Sequence, residues 1–151
     1  MNLFSDCSKE GIHTISLVYL EEIDQEYRIE TVDAEYVEDG YRLISIPFFA
    51  KHLALGDVIS VETEDGIHYF EDIIAKSGHS VIRLVFWNRD IIESTIQLMQ
   101  DYGSRAFRYQ ESELVAFDIA PSVQYKTIKA FLDDGARSRS WDYEEACLGW
   151  K

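Results

Sequence analysis

Between Ile12 and Ile74 apolar side chains recur at a spacing of two, and short turns of Asp, Glu and Gly interrupt the runs. This half of the chain is therefore confined to strands joined by hairpins, because that period places alternate residues on one face of a pleated strand. Ile15, Leu17 and Tyr19 alternate with Thr14, Ser16 and Val18, which predicts a first strand over 12–20. A second, long and half-exposed strand is predicted over 27–37, with Tyr27, Ile29, Ala34 and Tyr36 set among charged residues. Asp39-Gly40 supplies turn chemistry favouring positive φ, and a return strand over 41–46 ends at Pro47. The stretch 47–57 reads as an irregular crossover or short helix, closed by Gly56 in a left-handed conformation. A further hairpin, 58–63 with 67–74, flanks Glu64-Asp65-Gly66. Five short strands of this kind suit a small β-barrel or curled antiparallel sheet, which hides its edges better than an open one.

The period changes in the second half. A strand rich in β-branched and aromatic residues is predicted over 81–87. Ile92, Ile96 and Met99 then recur at helical spacing, with Asp90 as N-cap and Gly103 just beyond the end, predicting a helix over 91–102. Strands over 105–110 and 114–119 follow, separated by Glu-Ser-Glu, and Pro121 opens a second helix that ends near Gly135 and buries Ile128, Phe131 and Leu132. This order matches most of the β-α-β-β-α-β ferredoxin-like unit. The last element, 141–148, reads either as the sixth strand or, from the Asp142 and Glu145 spacing, as a capped helix. The fold class expected is thus α+β: an acidic, barrel-like half over 1–76 and a ferredoxin-like half over 77–151, sharing an interface as one folding unit.

With 151 residues, 46% hydrophobic and 13% aromatic, the chain has enough apolar matter for a core and lacks the composition of a disordered segment. Its N-terminus has no basic, apolar leader pattern, and no run approaches the roughly 18 apolar residues of a membrane-spanning helix. Cys7 and Cys147 lie near opposite ends and form no disulfide framework, so a reduced, cytoplasmic setting is expected. The formal net charge is −14, and residues 1–76 carry −12 of it, with five Lys or Arg against 17 Asp or Glu.

Chemistry-bearing residues are sparse. His79, in a turn between two serines, is in principle a base toward a hydroxyl or toward the Cys147 thiol, but it reads better as a turn-stabilising imidazole, and Cys147 as a small buried hydrophobe. His13, His52, His68 and His79 lack the i, i+4 pairing of metal ligands, and no calcium-loop or phosphate-cradling glycine pattern occurs, so neither metal nor cofactor is expected. The basic loop containing Arg137 and Arg139 reads as a solvated helix end. Nucleic acid is an unfavourable partner for a chain this acidic without a basic-aromatic strand motif.

Three stretches, 41–57 (YRLISIPFFAKHLALGD), 77–84 (SGHSVIRL) and 141–149 (WDYEEACLG), are together similar to the bacterial family termed domain of unknown function 4265. The resemblance implies one shared architecture over nearly the whole chain and brings no activity and no catalytic residue. Function is therefore read from charge. Glu21, Glu22, Asp24 and Glu26 flank the first hairpin, Glu35, Glu38 and Asp39 the second, and Glu62, Glu64 and Asp65 the third. These carboxylates serve either solubility or docking, and if the turns gather at one end of a barrel their fields add. The leading expectation is an acidic, non-enzymatic inhibitor that neutralises a basic protein, as an immunity protein or antitoxin masks a nuclease, with no nucleic-acid or membrane partner. A small-molecule sensor is the alternative, and a small enzyme is third.

Overall fold

A computed structural model describes residues 11–150; Cys7 and the rest of the N-terminal segment lie outside the described residues. Two compact units are present, one made of residues up to Lys51 plus Leu55–Ser77, the other of His52–Ala54 plus the chain from Gly78 onward.

The first unit is a closed barrel of β1 (Ile12–Glu21), β2 (Glu26–Val37), β3 (Gly40–Leu43), β4 (Val58–Glu64) and β5 (Ile67–Ala75) in sequential order. Neighbours pair antiparallel, and a short parallel seam, Ile15 opposite His68 and Ser16 opposite Tyr69, joins β1 to β5. The spacing-two pattern decides what goes inside: Ile15 and Leu17 from β1, Val32 and Ala34 from β2, Leu43 from β3 and Ile59 from β4 are all buried.

Of the two Asp-Gly turns, one meets the expectation and the other does not. Asp65 and Gly66 both have positive φ, as a tight hairpin needs. Gly40, however, is paired with Val37 in the ladder, so the loop is Glu38-Asp39 and the glycine serves a different purpose. A Cβ at Gly40 would lie 2.4 Å from the Ile59 carbonyl oxygen, so glycine is needed there for close approach of two backbones. The return strand stops at Leu43 rather than at residue 46. Beyond it the chain crosses over without forming a helix, and Gly56 has the left-handed φ of +84°.

The second unit completes the β-α-β-β-α-β order. Its strands are β6 (Ser80–Phe86), β7 (Arg105–Arg108), β8 (Leu114–Ile119) and β9 (Trp141–Cys147), arranged β7-β8-β6-β9 and all antiparallel. Its helices are α1 (Ile92–Asp101) and α2 (Tyr125–Arg137). Ile82, Leu84 and Phe86 of β6 with Val115, Phe117 and Ile119 of β8 form one apolar sheet face, packed against Ile92, Met99, Ile128 and Leu132 of the helices. The last element is a strand, not a helix. Trp141 is buried opposite Phe86, and its indole Nε1–H donates to the Leu132 carbonyl at 3.1 Å, an anchor that outweighs the weak capping-box spacing.

Boundaries elsewhere shift by a few residues. A 3₁₀ turn (Arg89–Ile91) precedes α1, and Asn88 rather than Asp90 caps it by accepting from the Asp90 N–H. Helix α2 begins at Tyr125 and runs past Gly135, which sits inside it. The glycine is there because Trp141 lies against it: a Cβ would fall 1.9 Å from the indole Cζ2.

Candidate functional site

Strand directions place the ten predicted carboxylates. β1 runs up the barrel and β2 down, so the turn carrying Glu21, Glu22, Asp24 and Glu26 is at one end, while Glu38-Asp39 and Glu64-Asp65 turn at the other. The three turns do not gather. Glu35 stands on the outer face of β2, paired with Arg42 at 2.9 Å, and Glu62 is exposed near the end of β4. Within the first turn, Asp24 pairs with Arg28 and accepts from the Glu26 N–H at 3.1 Å, Glu21 accepts from the Ile23 N–H at 3.4 Å, and Glu22 lies 3.4 Å from the Lys51 ammonium. Part of the acidity therefore shapes the turn itself.

Sequence reasoning missed what lies between those carboxylates. The β5 seam engages only Ile15 and Ser16 of β1, and the β3 ladder reaches only as far as Ala34 on β2. The remainder, Val18–Glu21 with Glu26–Glu30, extends beyond those ladders as a two-stranded arm. Its inner face is covered by the crossover: the Glu30 carboxylate accepts N–H groups of Phe48, Phe49 and Ala50 at 2.6, 3.0 and 2.8 Å, and Tyr19 stacks on Phe49 with ring centroids 5.6 Å apart. Its outer face carries the cross-strand pairs Val18–Ile29 and Leu20–Tyr27, all exposed, with Ile23 93% exposed at the tip. The signal was available in the alternation, since burying Ile15, Leu17 and Tyr19 commits Val18 and Leu20 to the opposite side.

His79 Nδ1 lies 2.7 Å from the carboxylate of the buried Asp118. The two neighbouring hydroxyls are engaged elsewhere: Ser77 donates to the Leu55 carbonyl at 2.7 Å, and Ser80 Oγ accepts the Gly149 N–H at 2.9 Å. Cys147 is a buried thiol opposite Val81. His13 and His68, distant in sequence, have ring centroids 5.9 Å apart beside Tyr41, yet no three His, Cys, Asp or Glu side chains converge as metal ligands among the described residues. Arg137 belongs to α2 and pairs with Asp134.

A cavity of about 580 Å³ opens in the second unit where β6 and β8 meet the start of α2, lined in part by Ser80, Ile119, Pro121, Val123, Lys126 and Trp150. Lys129 and Tyr125 also line it and extend into a polar cluster. Tyr125 donates to Glu145 at 2.6 Å, Lys129 donates to the Tyr143 hydroxyl at 2.9 Å, and Tyr143 donates to Asp133. Partial burial, reinforced by the Glu145 carboxylate, pushes the Tyr125 hydroxyl well above the ordinary phenol range. Lys129 is held above the usual lysine value chiefly by its hydrogen bond to Tyr143, and Tyr143 is raised by burial and by Asp133.

A five-stranded barrel followed by a ferredoxin-like unit defines an α+β protein. The chain belongs to the family described as domain of unknown function (DUF4265), whose profile matches residues 30–143. That span includes the stretches 41–57 and 77–84, whereas most of 141–149 lies beyond it. A solved structure, described as a novel crystal structure of a hypothetical protein from Neisseria gonorrhoeae, is similar with a TM-score of 0.81 and 22% sequence identity, over 94% of this chain and 99% of that one. This likeness shows the fold. No curated protein matches the chain. No helix among the described residues is long and apolar enough to cross a membrane.

Proposed function

We propose that the chain is a protein-binding module that docks a basic partner on the outer face and tip of the β1–β2 arm, as a stoichiometric inhibitor of the immunity or antitoxin kind. The observation that carries this reading is the exposed apolar set Val18, Leu20, Ile23, Tyr27 and Ile29, which runs at the arm's tip into a turn carrying Glu21, Glu22, Asp24 and Glu26. Exposed apolar surface grouped in this way with charge beside it marks a recognition patch. The charge of the turn selects the partner. From Glu21 to Arg28 the arm carries four carboxylates and one guanidinium, so a second copy of the arm and an anionic lipid surface are both repelled, whereas a surface rich in Lys and Arg is attracted. A nuclease or other phosphate-binding protein presents such a surface. No catalytic step is required of this chain, which gives the reading its non-enzymatic character.

The test pairs capture with kinetics. Immobilised protein should recover a basic protein at one-to-one stoichiometry from native extract, and Ile23→Asp with Tyr27→Ser should abolish recovery while changing stability by no more than about 0.5 kcal/mol, as expected at exposed positions. Association of the recovered protein should slow as salt rises, since charges more than about 8 Å apart are screened at physiological ionic strength. Replacing Glu22, Asp24 and Glu26 with lysine should slow it further, and the same change at Glu62, Glu64 and Asp65, at the far end of the barrel, should not. An acidic partner, or recovery indifferent to the arm substitutions, defeats the proposal.

A further inference from the structure

The chain has 28 acidic residues against 14 basic ones, yet the residues lining the cavity of the second unit include two lysines and no carboxylate. Glu145 of the adjoining cluster is engaged by the Tyr125 hydroxyl at 2.6 Å and by Lys129 at 3.6 Å, so the charges of Glu145 and Lys129 offset one another and Lys126 brings the cavity its further positive charge. Lys126 is exposed at the rim. Apart from Ser80 and Gln124 the rest of the lining is apolar or aromatic: Ile119, Pro121 and Val123 contribute aliphatic surface, and the Trp150 and Tyr125 rings lie 5.2 Å apart, tilted toward each other. At about 580 Å³ the space suits a small organic molecule, since ligand pockets run from roughly 300 to 1,000 Å³.

We propose that this cavity binds a small organic carboxylate with a planar apolar body, the body lying against Trp150 and Val123 and the carboxylate facing the ammonium group of Lys126, with Lys129 beside it. The Lys129 ammonium is already oriented by Tyr143 at 2.9 Å, so less side-chain freedom is lost when an anion arrives. Ser80, whose Oγ accepts the Gly149 N–H, keeps its own hydroxyl hydrogen for a ligand oxygen. The proposal is independent of the docking arm and rests on residues of a different unit.

A matched pair of probes tests it: 2-naphthoate and naphthalene-2-carboxamide, which share a ring system and differ in charge. Titration followed by amide chemical shifts should show saturable changes at Ser80, Val123, Lys126 and Trp150 with naphthoate. The carboxamide should bind about tenfold more weakly, the difference expected of one charge-assisted contact. Lys126→Gln should reduce naphthoate affinity by about the same factor and leave the carboxamide unaffected, and Trp150→Ala should weaken both. Because Lys126 is exposed, its variant retains the fold. Equal affinity for the two probes, shifts scattered away from the cavity, no saturable shift, or naphthoate binding unchanged in Lys126→Gln would each overturn the proposal.

Discussion

The barrel and the ferredoxin-like unit solve the same problem, what to do with the apolar face of a sheet, by different means, and the difference explains where exposed surface is left over. The ferredoxin-like unit keeps an open sheet and covers one face with two helices, so its apolar residues meet in one cluster that includes Trp141 from the last strand. The barrel closes on itself, but through a seam of only two register pairs, while β1 and β2 pair over ten. The unmatched length becomes the arm. One unit thus uses nearly all of its apolar alternation for packing, and the other spends part of it on a surface. Exposed strand edges are an aggregation hazard unless guarded by charge, and Glu21, Glu22, Asp24 and Glu26 guard this one.

The contrast is most easily broken at Gly135. A methyl group there would overlap the buried Trp141 ring, so Gly135→Ala should destabilise the second unit by about 3 kcal/mol, at the upper end of overpacking penalties. Gly66→Ala, in the open turn of the barrel with φ +80°, should cost only about 1 kcal/mol of backbone strain. Urea denaturation of the two variants measures the difference, and equal losses would show that Trp141 yields.

A smaller effect is expected at Glu30. Its carboxylate gathers three backbone N–H groups of the crossover, so Glu30→Gln should cost about 2 kcal/mol, as lost charge-assisted hydrogen bonds do. Hydrogen exchange should quicken at Phe48, Phe49 and Ala50 and stay unchanged at Phe117 in the second unit. Spread of the effect to Phe117 would show that the two units do not respond separately.

The smallest effect is a pH dependence confined to the α2–β9 cluster. Tyr125 and Tyr143 are both raised above the ordinary phenol value of about 10, so the folded protein holds these protons more tightly than the unfolded chain. The stability they supply is complete below about pH 10 and declines as pH rises beyond it. Lys129, also raised, acts with the same sign. Denaturation midpoints measured from pH 8 to 11 should fall at the alkaline end, and Tyr125→Phe should flatten that fall.

Much of this architecture follows from the chain alone. Alternation at spacing two sets the strands of the barrel, and the change to spacings of three and four at Ile92 and Ile96 sets the helices, because a period is a property of local geometry and needs no partner. Asp65-Gly66 and Gly103 likewise announce their turns locally. What a distant residue decides was not legible. Gly40 looked like a turn glycine until Ile59 arrived beside it, and Gly135 looked like a helix end until Trp141 did. The strand identity of 141–147 waited on Phe86 and Leu132, since a short segment with both strand and helix signals is settled by what it packs against. The carboxylates were visible in the sequence, but their separation to two ends of the barrel was fixed by strand direction. The apolar face of the arm and the lysine-lined cavity exist only where the ladders stop and where β6, β8 and α2 converge, because exposure and concavity belong to the packed chain and have no local code.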